Sequence, residues 1–182
     1  MIAILWPPGS WEALSLFVIP VGGGIPAGVL IGRSHGLSWL RLEILYFISD
    51  VLLACVFEPV MHLVIKAGRR IPRLARATEA MRLAMKKTSD LYGTTGGPFT
   101  LIMIAFGVDP MTGRAAAAAA GHGFVAGWTF AIAGDMLYFT VIMASTLWLN
   151  SYLGDGRVTT IVILVLMFVV PMLIKRWKNR GR

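Results

Sequence analysis

Two acidic residues stand inside runs that are otherwise apolar, and the runs resemble each other. Ser49-Asp50-Val51-Leu52 leads into Leu53-Ala54-Cys55-Val56-Phe57, and Gly134-Asp135-Met136-Leu137 leads into Tyr138-Phe139-Thr140-Val141-Ile142. A carboxylate in a lipid-embedded segment costs at least ~2.5 kcal/mol, so one that is kept there usually lines a pathway or a binding site. The chemistry such a pair suits is proton carriage: facing each other across a pseudo-twofold axis, one carboxyl holds a proton while the other stays charged. Asp50 and Asp135 are therefore read as ion-coupling groups, with helix-to-helix hydrogen bonding as the plainer alternative. Arg114 would meet an anionic headgroup with its two-pronged guanidinium or neutralise an aspartate. Asp109 either joins this set or caps the helix that starts after it. His35 and His122 are candidate proton entrances, histidine being the side chain whose charge changes near neutrality, with interfacial loop residues as the plainer reading. Glu58, just before Pro59, reads as structural and paired with Lys66 or Arg69.

The elements that must position these groups follow from composition. The 182 residues are 57% hydrophobic and 14% charged, with a mean hydropathy of +0.73. A soluble domain cannot cover itself with so little polar surface. The expected fold is a single all-α integral membrane domain over 1–182, with room for a few spans of about 20 residues each. A cleavable signal peptide is not expected, because Met1 to Trp6 carries no basic start and Pro7-Pro8-Gly9 interrupts the apolar run. The single cysteine, Cys55, excludes an internal disulfide and a cysteine metal cluster, and reads as a small apolar residue in a buried helix. No cofactor or metal is expected.

The net charge of +8 is concentrated in two places. Lys66, Arg69, Arg70, Arg73, Arg76, Arg82, Lys86 and Lys87 crowd one loop, and Lys175, Arg176, Lys178, Arg180 and Arg182 follow the last apolar run. Both should be cytoplasmic by the positive-inside rule. Nucleic acid is excluded as a partner because the basic runs border apolar segments and lack interleaved aromatics, whereas anionic lipid attracts each such residue by about 1 kcal/mol. Arg69, Arg70, Arg73 and Arg76 are the candidate headgroup contacts. Within 71–87, Ile71, Leu74, Ala77, Met81 and Met85 recur at helical spacing opposite arginines, which predicts a basic interfacial helix, the alternative being a solvated loop.

Along the chain, the first apolar stretch, Trp11 to Ile31, is broken by Pro20, Gly22-Gly23-Gly24 and Pro26, which predicts two half-helices forming a re-entrant hairpin. A crossing from about Trp39 to Ile65 follows, kinked by Pro59. In the second half, Phe99 to Val108 precedes a break at Asp109-Pro110-Met111-Thr112-Gly113-Arg114. The alanines 115–120 with Gly121, Gly123, Ala126 and Gly127 then predict close helix packing. A crossing from about Ala133 to Leu149, a polar loop over 150–157 and a last span from Val158 to Ile174 complete the pattern. Trp148, Tyr152 and Trp177 stand where interfacial anchors belong.

Side by side, residues 11–65 and 93–149 each show a proline-broken hairpin (breaks at Gly24 and Pro26; Pro110 and Gly113), a His-Gly pair (His35-Gly36; His122-Gly123), a tryptophan (Trp39; Trp128) and an Asp-bearing crossing. With the 66–92 basic segment and the basic tail on one side, the two crossings run in opposite directions. The repeats are expected to be inverted, a common way for secondary transporters to build a site near the bilayer midplane.

Ile25-Pro26-Ala27-Gly28 with Gly32, and Pro110 with Arg114, Gly121 and Gly134, resemble the DedA-type and small multidrug-export-type membrane proteins, whose halves are each a re-entrant hairpin and a crossing helix. The resemblance covers most of 15–145. It implies a bacterial inner-membrane, ion-coupled transporter of a lipid phosphate or an amphipathic cation. It also implies an acidic residue before the first proline motif and an arginine after the second. Arg114 matches the second, while the acidic position is empty here and Glu12 lies too far upstream. Catalysis is not expected, since neither a Gly-x-Ser-x-Gly elbow nor His-Glu-x-x-His occurs. The rival reading is a non-catalytic accessory subunit of a larger membrane complex; in either case, exposed hairpin backbone calls for a homodimer or other partner chains.

Overall fold

The computed structural model describes residues 6–19, 24–68 and 97–180, and every regular element among them is an α-helix. In chain order these are α1 (Ser10–Val18), α2 (Gly24–Ser34), α3 (Trp39–Gly68), α4 (Pro98–Gly107), α5 (Pro110–Ala119), α6 (Phe124–Leu153) and α7 (Gly156–Arg180). The basic segment 71–87 and the headgroup candidates Arg69, Arg70, Arg73 and Arg76 lie outside the described residues, as do Pro20, Gly22 and Gly23.

The short helices end where the residue types say they must. Asp109 caps α5: its Oδ1 accepts from the Thr112 backbone N–H at 2.7 Å, and its Oδ2 accepts from the Thr112 hydroxyl at 2.6 Å. Pro110 occupies the first helical position, where its missing N–H costs nothing. Pro26 is likewise accommodated in the first turn of α2 and does not break it. Gly24 begins that helix, and Gly113 lies inside α5 against Ala105 of α4.

The long helices differ from expectation in extent. α6 begins at Phe124, nine residues before the expected start at Ala133, and continues to Leu153, so the expected loop 150–157 shrinks to the turn at Gly154-Asp155. α3 runs through Pro59 to Gly68. Among the described residues, α6 is the helix long and apolar enough to cross a membrane by length and composition. α3 is equally long, but Glu43, Asp50 and Glu58 interrupt its apolar character.

Both halves repeat one local design: two short helices of 9 and 11 residues and then a 30-residue helix in the first, and two of 10 residues and then a 30-residue helix in the second. The turns into the long helices match bond for bond. Gly36 N–H bonds to Arg33 C=O and Leu37 N–H to Gly32 C=O; Gly121 N–H bonds to Ala118 C=O and His122 N–H to Ala117 C=O. Each is a Schellman motif whose glycine, at φ 79° or 85°, takes the left-handed conformation that side-chain-bearing residues resist. This sets the register at 85 residues, carrying Gly36 to Gly121 and Trp39 to Phe124. The sequence pairing of His35-Gly36 with His122-Gly123, and of Trp39 with Trp128, is therefore out of register. The backbone hydrogen bonds, not the side-chain types, decide it. Asp50 and Asp135 survive the correction, each the twelfth residue of its helix.

Contacts divide the chain into two compact units. The first comprises Met1–Leu45 with Thr140–Arg182; the second comprises Tyr46–Phe139. In the first unit, α1 packs on α2, with Ala13, Leu14, Val29, Leu37 and Leu42 buried, and the Thr140 hydroxyl donates to Glu43 Oε1 at 2.9 Å. In the second unit, Gly134 of α6 lets the α4 backbone pass directly against it: a Cβ there would lie 2.3 Å from the Ile102 carbonyl oxygen. The exposed faces of the long helices are largely apolar, with Ile44, Phe47, Val51, Val56, Val60 and Leu63 on α3 and Val125, Leu137 and Val141 on α6, while Asp50, Glu58 and Asp135 are buried and Glu43 is half-buried.

Because Gly121 ends α5 in the left-handed region and Gly123 does not, Gly121→Ala should cost about 1–2 kcal/mol and Gly123→Ala distinctly less. Thermal unfolding of the two purified variants checks this, and equal losses would remove the 85-residue register.

Candidate functional site

The site is assembled within the second unit, where α3 and α6 lie side by side and antiparallel. Tyr46 stacks on Phe139, with ring centroids 4.0 Å apart and planes 13° from parallel. Asp50 meets Asp135, carboxyl to carboxyl. Further along, Ala54 clusters with Ala131 and Trp128, and Phe57 stands edge-on to Trp128 at 6.1 Å. As residue numbers rise along α3, those of the partners fall along α6. Asp50 and Asp135, each the twelfth residue of its helix, stand at the same level of this antiparallel pair.

Both aspartates are buried, at 4% and 5% exposure. An ionised carboxylate only accepts, so a hydrogen bond between two carboxyls requires a proton held in it. Asp135 is further engaged: the Tyr46 hydroxyl donates to its Oδ2 at 3.0 Å. Asp50 Oδ2 is buried without a partner. Asp109, at the tip of the α4–α5 hairpin, has its oxygens taken up by the α5 cap. It is thus a cap.

Arg114 does not meet an aspartate. Its Nε and Nη2 donate to Glu58 Oε2 and Oε1 at 3.1 and 2.6 Å, and the Trp128 indole N–H donates to Glu58 Oε2 at 2.9 Å. Glu58 accordingly pairs across helices with Arg114, a partner not expected from sequence; Arg69 and the Lys66 side chain lie outside the described residues. A glutamate pointing into the helix packing is buried and needs a buried cation, and α5 supplies one. Arg114 and Glu58 are 4% and 7% exposed. Gly127 makes room for the guanidinium, since a Cβ there would lie 3.1 Å from Nη1. Nη1 itself has no partner.

Of the remaining candidates, His35 sits in an exposed turn of the first unit, with Nδ1 2.9 Å from the Ile31 carbonyl oxygen. His122, in the second unit, stands edge-on to Phe130 at 5.3 Å. Neither reaches the carboxyl pair. Cys55 is exposed and not buried, because it falls on the apolar outer face of α3. Tyr46, Glu58 and Trp128 are the residues that sequence reasoning left out of the site. A signal for two of them was present: Tyr46, Asp50, Ala54 and Glu58 recur every four residues, one stripe of a helix, and all four are buried.

No protein-family model, curated protein sequence or solved structure matches this chain.

Removing one member of a buried ion pair strands the other charge and costs about 3–5 kcal/mol, whereas replacing both by apolar residues is close to neutral. Arg114→Met should therefore destabilise strongly, and Arg114→Met with Glu58→Met should recover most of the loss. Denaturant unfolding of the purified variants measures both, and an additive double variant would contradict the pairing.

Proposed function

We propose that this protein is a bacterial inner-membrane secondary transporter in which the Asp50–Asp135 pair carries the coupling proton between two inverted hairpin-and-helix repeats. The observation that carries the reading is that Asp50 faces its own repeat counterpart. An inverted duplication puts a twofold axis at such a level, and midplane sites of secondary transporters lie on axes of this kind. Burial supports the bilayer: Asp50, Glu58, Arg114 and Asp135 point inward while leucine, valine and phenylalanine along the same helices face outward, the reverse of a soluble surface. Exposed Trp148 and Tyr152 near the end of α6, and Trp39 at the start of α3, suit interfacial anchoring. The basic segment 66–87 and the tail would then face the cytoplasm.

In this mechanism the carboxyl pair releases its proton to one side when substrate binding separates α3 from α6, and the two anions cannot remain facing each other without a fresh proton or a cationic partner. The α4–α5 hairpin, held to α6 through Gly134 and to α3 through Glu58–Arg114, is the element whose shift would open the site. The substrate class is an amphipathic cation, attracted by the acids, or a lipid phosphate, received by Arg114 once it is freed from Glu58. The DedA-type and small multidrug-export-type resemblance belongs to this proposal and points the same way.

Asparagine keeps the shape and hydrogen-bonding capacity of aspartate but cannot carry a proton, so Asp50→Asn and Asp135→Asn should each abolish most of the proton-coupled flux. Proteoliposomes carrying an entrapped pH dye, challenged with a fluorescent amphipathic cation or a short-chain lipid phosphate, measure it. Undiminished, pH-independent flux in both variants would remove proton coupling and leave an accessory subunit as the better reading.

A further inference from the structure

The repeat register that makes the two aspartates equivalent also shows where their surroundings differ. The counterpart of Tyr46, 85 residues on, is Ala131, and the counterpart of Ala54 is Phe139. On one side of the carboxyl pair Tyr46 therefore stacks on Phe139, and on the other Ala54 packs with Ala131. The phenol hydroxyl donates to Asp135, and Ala131, with no side-chain donor, has nothing to offer Asp50 in return. The nearest hydroxyl on α3, that of Ser49, is turned back to the Tyr46 carbonyl oxygen at 2.6 Å. Asp50 Oδ2 is left buried with no donor.

We propose that Tyr46 breaks the symmetry of the pair and places the shared proton on Asp50, leaving Asp135 as the charged member. Of the two placements, this one matches each oxygen to what it needs. A carboxylate at Asp135 accepts from both Tyr46 and the Asp50 acid, and the oxygen without a donor is then the carbonyl oxygen of a neutral acid. The opposite placement would put a charged carboxylate oxygen at the unpartnered position, which costs more than stranding a neutral one. The other titratable groups facing the pair are Tyr138, on the same helix as Asp135, and Asp109, at the hairpin tip. Asp109 opposes a charge on Asp135, but it acts from beyond hydrogen-bonding contact and its oxygens are held by Thr112. The direct donation from Tyr46 prevails. Tyr46 is thus a positioning residue: it selects which carboxyl gives up the proton. The inference rests on the transport reading only for its purpose, since the proton placement is a property of the resting protein.

The wild-type protein in liposomes tests it first. Dicyclohexylcarbodiimide adds to protonated carboxylic acids in apolar surroundings, and peptide mass spectrometry should find the adduct on Asp50 in about tenfold excess over Asp135, the ratio set by ~1.4 kcal/mol. An equal split, or an excess on Asp135, would overturn the proposal. Infrared spectroscopy gives an independent readout through the carbonyl stretch of the neutral acid. That band should vanish in Asp50→Asn, persist in Asp135→Asn, and return in Asp50→Asn with Tyr46→Phe, where Asp135 no longer has its donor. A band that survives Asp50→Asn and is lost in Asp135→Asn would reverse the assignment. Neither readout depends on substrate flux, so a protein that transports nothing can still keep the proton on Asp50, and a transporter can still fail this test.

Discussion

The contact on which the rest of the architecture depends is that between the Asp50 and Asp135 carboxyls. Two such groups, each about 95% withdrawn from solvent, can touch only if a proton lies between them, and they can be brought there only by helices that run antiparallel in one register. Slide α6 by one turn and Asp135 leaves both Asp50 and Tyr46, stranding a buried acid at a cost no nearby group offsets. The same register lets Ala54 sit against Ala131 and Trp128, and it delivers the Trp128 indole to Glu58. Polar pairing therefore specifies the alignment of two helices whose apolar faces alone would slide.

Close approach is the second condition. Small residues stand wherever another backbone or a guanidinium must pass: Gly134 against Ile102, Gly127 against Arg114, and Ala115, Ala116 and Ala117 along the buried side of α5. In lipid there is no hydrophobic drive to press helices together, so contact area and hydrogen bonds carry the association. On the proposed membrane reading, the Glu58–Arg114–Trp128 cluster ties the hairpin to both long helices, and the carboxyl pair ties those helices to each other. Each tie holds ionisable groups, and so each is a place where binding of a charged species would loosen the packing.

Much of this was legible in the sequence, for identifiable reasons. Proline and glycine clusters mark hairpin ends because they constrain backbone geometry locally, and the break at Asp109-Pro110 lies where expected. The two aspartates were recognisable because a charge in an apolar run has few plain explanations. The pairing of His35-Gly36 with His122-Gly123 does not hold because conformation, not residue identity, recurs: the shared feature is a left-handed glycine, at Gly36 and Gly121. The partner of Glu58 was also missed. A buried glutamate selects its cation across the packing, and nothing in local spacing points from α3 to Arg114. The early start of α6 is hard to read because Gly127 and the β-branched Val125, Thr129 and Ile132 weaken helical propensity before Ala133, an effect that burial of Trp128 and Ala131 overrides.

Oxidative cross-linking in native membranes tests the central relation most directly, in a Cys55→Ala background with one cysteine on α3 and one on α6. With the helices antiparallel about the aspartates, Ala54→Cys paired with Ala131→Cys should form a disulfide readily, and Ala54→Cys paired with Phe139→Cys should not. Cross-linking of 54 to 139 without that of 54 to 131 would mean that the two helices run parallel, and that Asp50 and Asp135 do not share a twofold axis.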